Sequence, residues 1–364
     1  MSARVLVAMS GGVDSSVAAA LLHEAGYDVV GVAMRLAPES APWRRSRPGT
    51  CCSHDDFEDA RRVAERLDFP FYVVDLRADF ATRVIDNFVD EYLEGRTPNP
   101  CARCNREIKF DRLWQRARAL QADFVATGHY ARIGHGQNGR FQILRAVDTN
   151  KDQSYFLFML GQRELARTLF PLGDMTKSEV RERARRLGLA NADKPESQEI
   201  CFVPDGDYAR FVERQAGNGR LRPGHIVDDD GRMLARHGGV HRYTVGQRRG
   251  LGIATGQALY VHEIDAGSGD IRVGTRNQLS AAGLIAKEVS LVDPPLSRIR
   301  EQPIEVKIRY RHPPLPATLS MLDYGRAEVR FRPDGPAVTP GQACVFYDGD
   351  RMLGGGFIER ALRS

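Results

Sequence analysis

The chain has 364 residues, of which 42% are hydrophobic and 8% aromatic, so it is too long for one ordinary hydrophobic core and long enough for two or three. Its net charge of +5 suits a phosphate-rich partner such as RNA, and equally an ordinary surface slightly rich in arginine. It carries neither the pattern of a signal peptide nor an apolar run approaching about 20 residues, so we expect a soluble, cytoplasmic protein.

The N-terminal part alternates predicted strands and helices. Apolar runs predict strands at 4–9, 28–35, 71–75 and 123–127, and helical segments are predicted at 14–25, 55–67, 110–120 and 179–187. This alternation predicts an α/β domain with a parallel, doubly wound, Rossmann-like sheet, which we place at residues 1–205. Residues 37–51 lack periodicity and are expected to form a surface loop, and 193–202 a connection or lid.

The composition changes after this region. From Gly206 onward the chain is rich in glycine, arginine and short strands, which predicts a small basic central domain at residues 206–280. Runs at 304–311, 317–322, 326–332 and 343–347 alternate apolar and polar residues and are separated by turn sequences. They predict a C-terminal antiparallel β-barrel at residues 281–364.

A loop rich in glycine, hydroxyl and carboxylate groups separates the first predicted strand from the first predicted helix. Its sequence is Ser10-Gly11-Gly12-Val13-Asp14-Ser15-Ser16. Its glycines allow the backbone to approach a phosphate, and the hydroxyls of Ser10, Ser15 and Ser16 can donate hydrogen bonds. Asp14 could hold a Mg²⁺ ion that bridges phosphates. The alternative is a tight turn without a ligand, but a turn does not require so many hydroxyl and carboxylate groups.

This loop resembles the pyrophosphate loop of the N-type ATP pyrophosphatases, which cleave ATP between the α and β phosphates and adenylate a carbonyl oxygen. The loop lacks the Gly-Lys-Ser/Thr sequence of a kinase-type phosphate loop. The resemblance implies ATP contacts along the loop and at the ends of the neighbouring strands, at Ala8, Met9, Ser10, Gly11, Gly12, Val13, Asp14, Ser15, Met34 and Gly128.

The cysteines have three competing interpretations. Cys101 and Cys104 form a Cys-x-x-Cys pair, and Cys201 lies far downstream. Zinc binding would recruit Cys51, Cys52 and His54, although a structural site normally has two tightly spaced pairs. A redox pair would need a thioredoxin-like context, which is absent. Cations at 103, 106 and 109 would lower the pKa of the Cys104 thiol, which favours thiolate chemistry with Cys201 as partner.

Ordered motifs extend over nearly the whole chain. They are the phosphate loop, Asn99-Pro100 with Cys104-Asn105, Thr127-Gly128-His129-Tyr130, Lys151-Asp152-Gln153-Ser154, Ser197-Gln198-Glu199-Ile200-Cys201-Phe202, Gly246-Gln247-Arg248-Arg249-Gly250 and Arg309-Tyr310. Together they resemble the bacterial tRNA-specific 2-thiouridylase family.

The resemblance implies that ATP, with Mg²⁺, adenylates the C2 oxygen of the wobble uridine, position 34, in the anticodon region of tRNA. Cys201 would carry a persulfide from a sulfur-relay donor protein. Cys104 would release that sulfur or attack the adduct, which leaves a Cys104–Cys201 disulfide. The implied tRNA contacts are Asn99, Pro100, Cys101, His129, Lys151, Asp152, Gln153, Arg309, Tyr310 and Gln342.

Several of these residues also have simpler interpretations than a catalytic or RNA-binding role. Some family members carry an aspartate where this chain has Cys101, and a thiol cannot replace a carboxylate as a base at neutral pH. The basic segments 241–243, 247–249 and 307–311 suit a phosphate backbone but also a solvated face. Cys344 is expected in the core. The alternative functions are an ATP pyrophosphatase that adenylates a small metabolite, and an RNA-binding protein that uses ATP as a switch.

Overall fold

The structure is a computed structural model that describes residues 2–36, 54–136, 139–195, 200–203, 205–254, 256–292 and 299–363. It divides into two compact units. The first unit comprises Met1–Val84, Cys101–Gly206 and Asp350–Met352, and the second comprises Ile85–Pro100, Asp207–Gly349 and Leu353–Ser364.

The N-terminal half supplies these elements in chain order: β1 (Arg4–Ala8), α1 (Val13–Glu24), β2 (Asp28–Arg35), α2 (His54–Arg66), β3 (Phe71–Asp75), α3 (Arg77–Phe80), a π-helical turn (Ala81–Ile85), α4 (Asp86–Leu93), α5 (Pro100–Cys104), a second π-helical segment (Asn105–Phe110), α6 (Asp111–Ala119), β4 (Phe124–Thr127), β5 (Ala131–His135), β6 (Phe141–Arg145), a 3-10 turn (Ser154–Phe156), α7 (Gln162–Leu165), β7 (Thr168–Leu169) and α8 (Lys177–Arg186). Of these, α4 belongs to the second unit.

The first unit is built on a five-stranded sheet in the order β3-β2-β1-β4-β7. Neighbouring strands in this sheet all pair in parallel. The doubly wound α/β sheet predicted from the sequence is therefore confirmed. The order reverses at β1, so the carboxyl ends of β1, β2 and β4 lie side by side, which is the edge where such sheets bind ligands.

Side-chain alternation along β1 places helices on both faces of this sheet. Val5 and Val7 pack in a cluster with α1, α2 and α8, whereas Leu6 and Ala8 pack with Leu113 of α6. Successive side chains of a strand point to opposite faces, so a fully apolar strand requires cover on both. The continuous apolar run of β1 therefore accounts for the two helical layers.

The ends of two helices differ from the prediction. The helix predicted at 110–120 is preceded by the π-helical segment Asn105–Phe110, which periodicity does not reveal. The helix predicted at 179–187 begins at Lys177, because Thr176 and Glu179 form a capping box. Residues 37–51 lie outside the described residues, and so does most of the centre of 193–202.

The C-terminal half supplies α9 (Tyr208–Ala216), a 3-10 turn (Asn218–Arg220), β8 (Gly224–Val227), β9 (Met233–His237), a 3-10 turn (Val240–Arg242), β10 (Tyr260–Asp265), β11 (Asp270–Gly274), a 3-10 turn (Arg276–Leu279), β12 (Ala281–Leu291), β13 (Gln302–Lys307), β14 (Leu315–Met321), β15 (Ala327–Gly335), β16 (Ala343–Asp348) and β17 (Arg351–Leu362). Strands β8 to β11 form a four-stranded sheet in the order β10-β11-β8-β9.

The last six strands close into a barrel. They follow the order β12-β15-β14-β13-β16-β17, and β12 pairs with β17 to complete the circle. The predicted antiparallel barrel is confirmed, and Cys344 lies fully buried in its core as expected. The strand predicted at 304–311 is wrong at its end, because β13 stops at Lys307 and the chain then turns, with His312 N–H bonded to the Arg309 carbonyl. Among the helices of the described residues, none has the length and hydropathy needed to cross a membrane.

Candidate functional site

The phosphate loop follows β1 and is confined on two sides. Gly11 has a φ of +74°, and a Cβ atom there would lie 2.2 Å from the Asp56 carbonyl oxygen. A Cβ atom at Gly128, just after β4, would lie 2.8 Å from the Ser15 amide nitrogen. Because backbone approaches the loop this closely, side chains are excluded at both glycines.

The carbonyl groups of the loop are satisfied from inside the unit. Gly11 O accepts hydrogen bonds from Asn191 Nδ2 at 3.0 Å and Lys194 Nζ at 3.3 Å. Gly12 O accepts from the Ser15 and Ser16 hydroxyls at 3.1 and 3.0 Å. The Ser16 hydroxyl, expected to donate to a phosphate, is thus committed internally, and the residue is fully buried. With its carbonyls occupied, the loop can offer N–H groups and the N-terminus of α1 to an anion.

Asp14 lies in the first turn of α1 and already has a cationic partner. Lys177 Nζ contacts its two carboxylate oxygens at 2.7 and 2.8 Å, and the Tyr130 hydroxyl donates to Oδ1 at 2.7 Å. A metal ion at this carboxylate would have to displace the Lys177 ammonium group. Asp14 therefore fits poorly as a Mg²⁺ ligand, and we derive no step through a metal there.

Lys194 joins the loop to the start of α2. Its ammonium group lies 2.6 Å from Asp56 Oδ1 and 2.6 Å from Asp59 Oδ2. Burial lowers the pKa of Lys194, but the hydrogen bonds that its ammonium group donates to the two carboxylates, together with their charge, outweigh burial and raise the pKa above its ordinary value. Lys194 is therefore fully charged at neutral pH.

The sequence analysis missed Lys177, Asn191 and Lys194 as site residues. The only available signal was for Lys177, since the Thr176–Glu179 capping box marks it as the first residue of a helix. Asn191 and Lys194 lie in irregular structure, where no periodicity indicates the direction of a side chain. Their approach to the loop is a property of the tertiary fold.

Both predicted reactive cysteines lie in the first unit. Cys104 is the last residue of α5 and is buried, whereas Cys201 is half-buried and Cys101 is exposed. Among the described residues, these three cysteines and Cys344 form no disulfide. The zinc alternative also requires Cys51 and Cys52, which lie outside the described residues.

The segments that contain Cys104 and Cys201 both contact α3 or the π-helical turn that follows it. Phe202, next to Cys201, packs edge-on against Phe80 of α3 at a ring distance of 5.7 Å. Asp79 of the same helix pairs with Arg112 of α6. Glu107, three residues after Cys104, forms ion pairs with Arg83 and Arg103. The cations beside Cys104 are thus partly paired, and α3 with its π-helical turn lies against both segments.

Comparison with known proteins decides the family. A model described as a tRNA methyl transferase HUP domain matches residues 3–205, and models for a tRNA methyl transferase PRC-barrel domain and an aminomethyltransferase beta-barrel domain match 210–275 and 281–358. The tRNA-specific 2-thiouridylase MnmA of Geobacter metallireducens is 55% identical over 99% of this chain and 97% of its own, and that of Geotalea uraniireducens is 54% identical over 99% and 96%. The chain belongs to the tRNA-specific 2-thiouridylase family.

More distant likenesses exist among solved structures. A 4-thiouridine synthetase–RNA complex with bound ATP is 16% identical, covers 58% of this chain and 50% of its own, and has a TM-score of 0.33. A likeness at that level supports no conclusion about this chain.

Asp152 and Gln153, two tRNA contacts implied by the 2-thiouridylase resemblance, form hydrogen bonds within the first unit. Asp152 is buried and accepts hydrogen bonds from the backbone of Ala146 and Ser154 and from the Ser154 hydroxyl. Gln153 Oε1 accepts from the Tyr130 amide at 3.0 Å. Gln153 therefore holds the turn that follows β4 in position, and Asp152 holds the loop that follows β6. Lys151, beside them, is half-buried.

His129 lies between two phenylalanine rings. It stacks on Phe110 at a ring distance of 6.3 Å and meets Phe170 edge-on at 6.2 Å, and its Nδ1 lies 2.7 Å from the Thr127 hydroxyl. Burial, with the charge of Lys109 nearby, lowers the pKa of His129 well below its ordinary value. The imidazole is therefore neutral at physiological pH and presents an aromatic surface rather than a charge.

In the second unit, several residues of the 2-thiouridylase motifs meet in one cleft of about 380 Å³. It is lined by Thr97, Thr244, Val245, Gly246, Gln247, Arg309, Thr339 and Gln342. Arg309 Nη2 donates to Thr339 Oγ1 at 2.9 Å, and the Lys307 ammonium group lies 5.7 Å from the centre of the Tyr310 ring. Asn99 and Pro100 belong to the same unit and are buried.

Two basic segments of the second unit differ from the expectation of a phosphate-binding face. His241 is fully buried and pairs with Glu213 at 2.9 Å. Arg309 and Arg311 follow β13 in a turn, so they are not part of the strand predicted at 304–311. For 307–311 the physical reason is that the alternating charges continue into a turn, and strand periodicity does not describe turns.

Proposed function

We propose that this chain is a tRNA-uridine 2-sulfurtransferase that converts the wobble uridine, position 34 of tRNA, to 2-thiouridine at the expense of ATP. One observation carries the proposal: a single unit holds the phosphate loop and both cysteines, Cys104 and Cys201. Membership of the 2-thiouridylase family supports it over the whole chain. The three segments 1–205, 206–280 and 281–364 would act as the reaction domain, a central domain and a tRNA-binding barrel.

The first step would be adenylation. The C2 oxygen of the uridine attacks the α-phosphorus of ATP, pyrophosphate leaves, and the oxygen becomes part of a good leaving group. The loop N–H groups and the N-terminus of α1 stabilise the negative charge of the phosphates, because their carbonyl partners are turned away. Mg²⁺, which we propose accompanies ATP, would supply further positive charge at the phosphates.

The second step would be sulfur transfer. Cys201 receives a persulfide from a sulfur-relay protein, its terminal sulfur attacks C2, and AMP leaves. The Cys104 thiolate then attacks Cys201 Sγ, which releases 2-thiouridine and forms a Cys104–Cys201 disulfide. A dithiol reductant must restore both thiols before the next turnover. Cys101 is exposed and carries no carboxylate, so we assign it no proton transfer.

The tRNA-binding assignments are also part of this proposal. The neutral His129 ring is suited to stacking on an unpaired base, since single-stranded bases are recognised by aromatic surfaces. Arg309, which lines the second-unit cleft, and Tyr310, which follows it in the chain, are suited to a phosphate and a sugar or base. The other contacts implied by the resemblance remain part of the proposal: Asn99, Pro100, Cys101, Lys151, Asp152, Gln153 and Gln342.

The test is a thiolation assay. The full chain is incubated with unmodified tRNA, Mg-ATP and a persulfide donor, and the digested RNA is analysed for 2-thiouridine by mass spectrometry. We expect product from the wild type and from Cys344→Ala, a core cysteine, but not from Cys104→Ser or Cys201→Ser. Cleavage of ATP without an RNA product would favour an enzyme that adenylates a small metabolite, and binding of RNA without cleavage of ATP would favour a nucleotide switch.

A further inference from the structure

The Gly11 carbonyl oxygen is held by two donors from a distant part of the first unit. Asn191 and Lys194 follow α8, and Asn191 is 180 positions away in the chain. Their donor atoms lie 3.0 and 3.3 Å from this one oxygen. A glycine carbonyl that recruits two side chains from a single short segment is constrained far beyond the needs of a turn.

We propose that Asn191 and Lys194 are positioning residues for ATP: they fix the orientation of the Gly11–Gly12 peptide so that the Gly12 N–H faces the phosphates. The inference rests on the proposed function in taking ATP as the ligand of this loop. It adds two residues that act on the nucleotide through the backbone rather than by touching it.

The geometry of the peptide unit couples the Gly11 carbonyl to the Gly12 amide. In a trans peptide, the C=O of Gly11 and the N–H of Gly12 point in opposite directions. Pinning the carbonyl towards Asn191 and Lys194 therefore turns the amide towards the opposite side. Gly12 is the N-cap of α1, with φ −86° and ψ 160°, and N–H groups at a helix N-terminus are the ones that receive anions.

An anchor is needed because two glycines are joined there. Glycine populates positive and negative φ almost equally, so a Gly-Gly peptide can rotate with little steric resistance. After such a rotation the loop would present an oxygen instead of a hydrogen to the phosphates, and attraction would become repulsion. The glycines that allow backbone to approach a phosphate thus also create the freedom that must be removed.

Asn191 is built for this role. It is 3% exposed, and its amide nitrogen also lies 2.9 Å from the Ser16 hydroxyl oxygen. That hydroxyl donates in turn to the Gly12 carbonyl at 3.0 Å. Because a carbonyl oxygen can only accept, the NH₂ group of Asn191 must face Gly11. One side chain therefore controls both carbonyls of the loop.

Lys194 contributes a charged donor that is itself held in place. Its ion pairs with Asp56 and Asp59 place the ammonium group at the start of α2, where the Asp56 backbone already lies against Gly11. Charge-assisted hydrogen bonds are stronger than neutral ones, so even the 3.3 Å contact resists rotation of the peptide.

The experiment compares a ligand that uses the loop with one that does not. Binding of α,β-methylene-ATP, which cannot be cleaved at the α–β position, and of adenosine is measured by calorimetry on the full chain with Mg²⁺. Asn191→Leu, similar in volume, should weaken binding of the triphosphate about tenfold, the equivalent of one lost hydrogen bond to an anion. Its affinity for adenosine should stay within about twofold of wild type, since adenosine carries no phosphate.

A second variant tests whether misfolding explains the loss of binding. Lys194→Met combined with Asp56→Asn removes the donor and lowers the buried negative charge that the lysine leaves behind. It should show the same selective loss, while Asp193→Ala, which removes only an exposed pair with Arg185, should bind both ligands as wild type does. Equal losses for both ligands, or no loss, would overturn the inference. Failure of the wild type to bind the triphosphate would contradict the proposed function instead.

Discussion

The side-chain amide of Gln342 donates to the Thr97 carbonyl oxygen at 3.0 Å, and to the Pro98 carbonyl oxygen at the same distance. The Thr97 amide donates in return to the Pro340 carbonyl at 2.8 Å. This backbone leads directly into Asn99 and α5, the helix that ends at Cys104. Gln342, proposed as a tRNA contact by resemblance, thus has a second role available: it holds the strand of chain that precedes a reactive thiol.

Replacing Gln342 by leucine separates these roles. Loss of the two donors to Thr97 and Pro98 should lower the turnover of tRNA thiolation about tenfold while tRNA affinity stays within about twofold. Steady-state kinetics and filter binding give the two quantities, with the exposed Gln302→Leu as control. A raised KM for tRNA with unchanged kcat would instead identify a direct contact.

A methyl group at Gly128 should block the nucleotide site. Its Cβ would lie 2.8 Å from the Ser15 nitrogen and 2.9 Å from the Asp14 carbonyl carbon. Both are backbone atoms, which cannot move away as the end of a flexible side chain can. We expect Gly128→Ala to weaken ATP binding at least tenfold, measured by calorimetry. Gly26→Ala is the control: its φ is +83° but the space is open, so it should cost about 1 kcal/mol of stability and leave ATP binding unchanged.

Lys177 should matter for adenylation. It is the cation beside the first turn of α1, paired with Asp14, and its removal takes positive charge from the place where pyrophosphate would leave. Lys177→Met should lower tRNA-dependent AMP formation about 100-fold, and Lys177→Arg should recover part of it. Arg186→Ala, exposed on the same helix, should have no effect. Wild-type rates in Lys177→Met would show that its role is confined to holding Asp14.

The lowered pKa of His129 predicts that the folded protein becomes less stable in acid. This pKa is lowered in the folded chain, so on acidification the unfolded state takes up a proton near its ordinary pKa of about 6.5 before the folded state does. The free energy of unfolding therefore falls as the pH drops below that value. Urea titrations at about pH 7.5 and about pH 5 should show a smaller fall for His129→Gln than for wild type. An identical fall in both would mean that the folded ring titrates normally.

The thiols should differ in reactivity. Burial raises the pKa of Cys344 to about 12, so its thiolate is scarce at neutral pH, and it is fully buried in the barrel. Brief treatment of the native chain with iodoacetamide near pH 8 should alkylate Cys101, which is exposed, and leave Cys344 unmodified. Peptide mapping by mass spectrometry checks this, and denatured protein, in which Cys344 must react, is the control.

Most of the fold could be predicted from the sequence because its strands and helices are strongly patterned. The continuous apolar run of β1 and the period-2 runs of β14 and β15 identify a buried parallel strand and a barrel without tertiary information. Prediction was wrong after Lys307, where the alternation of charged residues continues but the chain turns before two prolines. Composition alone does not show where such a pattern stops being a strand.

The sequence by itself determined the family, and it located the phosphate loop and the two cysteines as candidate site residues, because each motif depends on residue types at short spacing. Only the tertiary structure decided what surrounds them: Lys177 on Asp14, Asn191 and Lys194 on Gly11, and Gln342 on Thr97. These partners come from more than 150 positions away in the chain, at the ends of elements or in irregular segments. No local periodicity sets the direction of such side chains. Their contacts arise only when folding brings the carboxyl ends of the strands, the helix termini and the loops together.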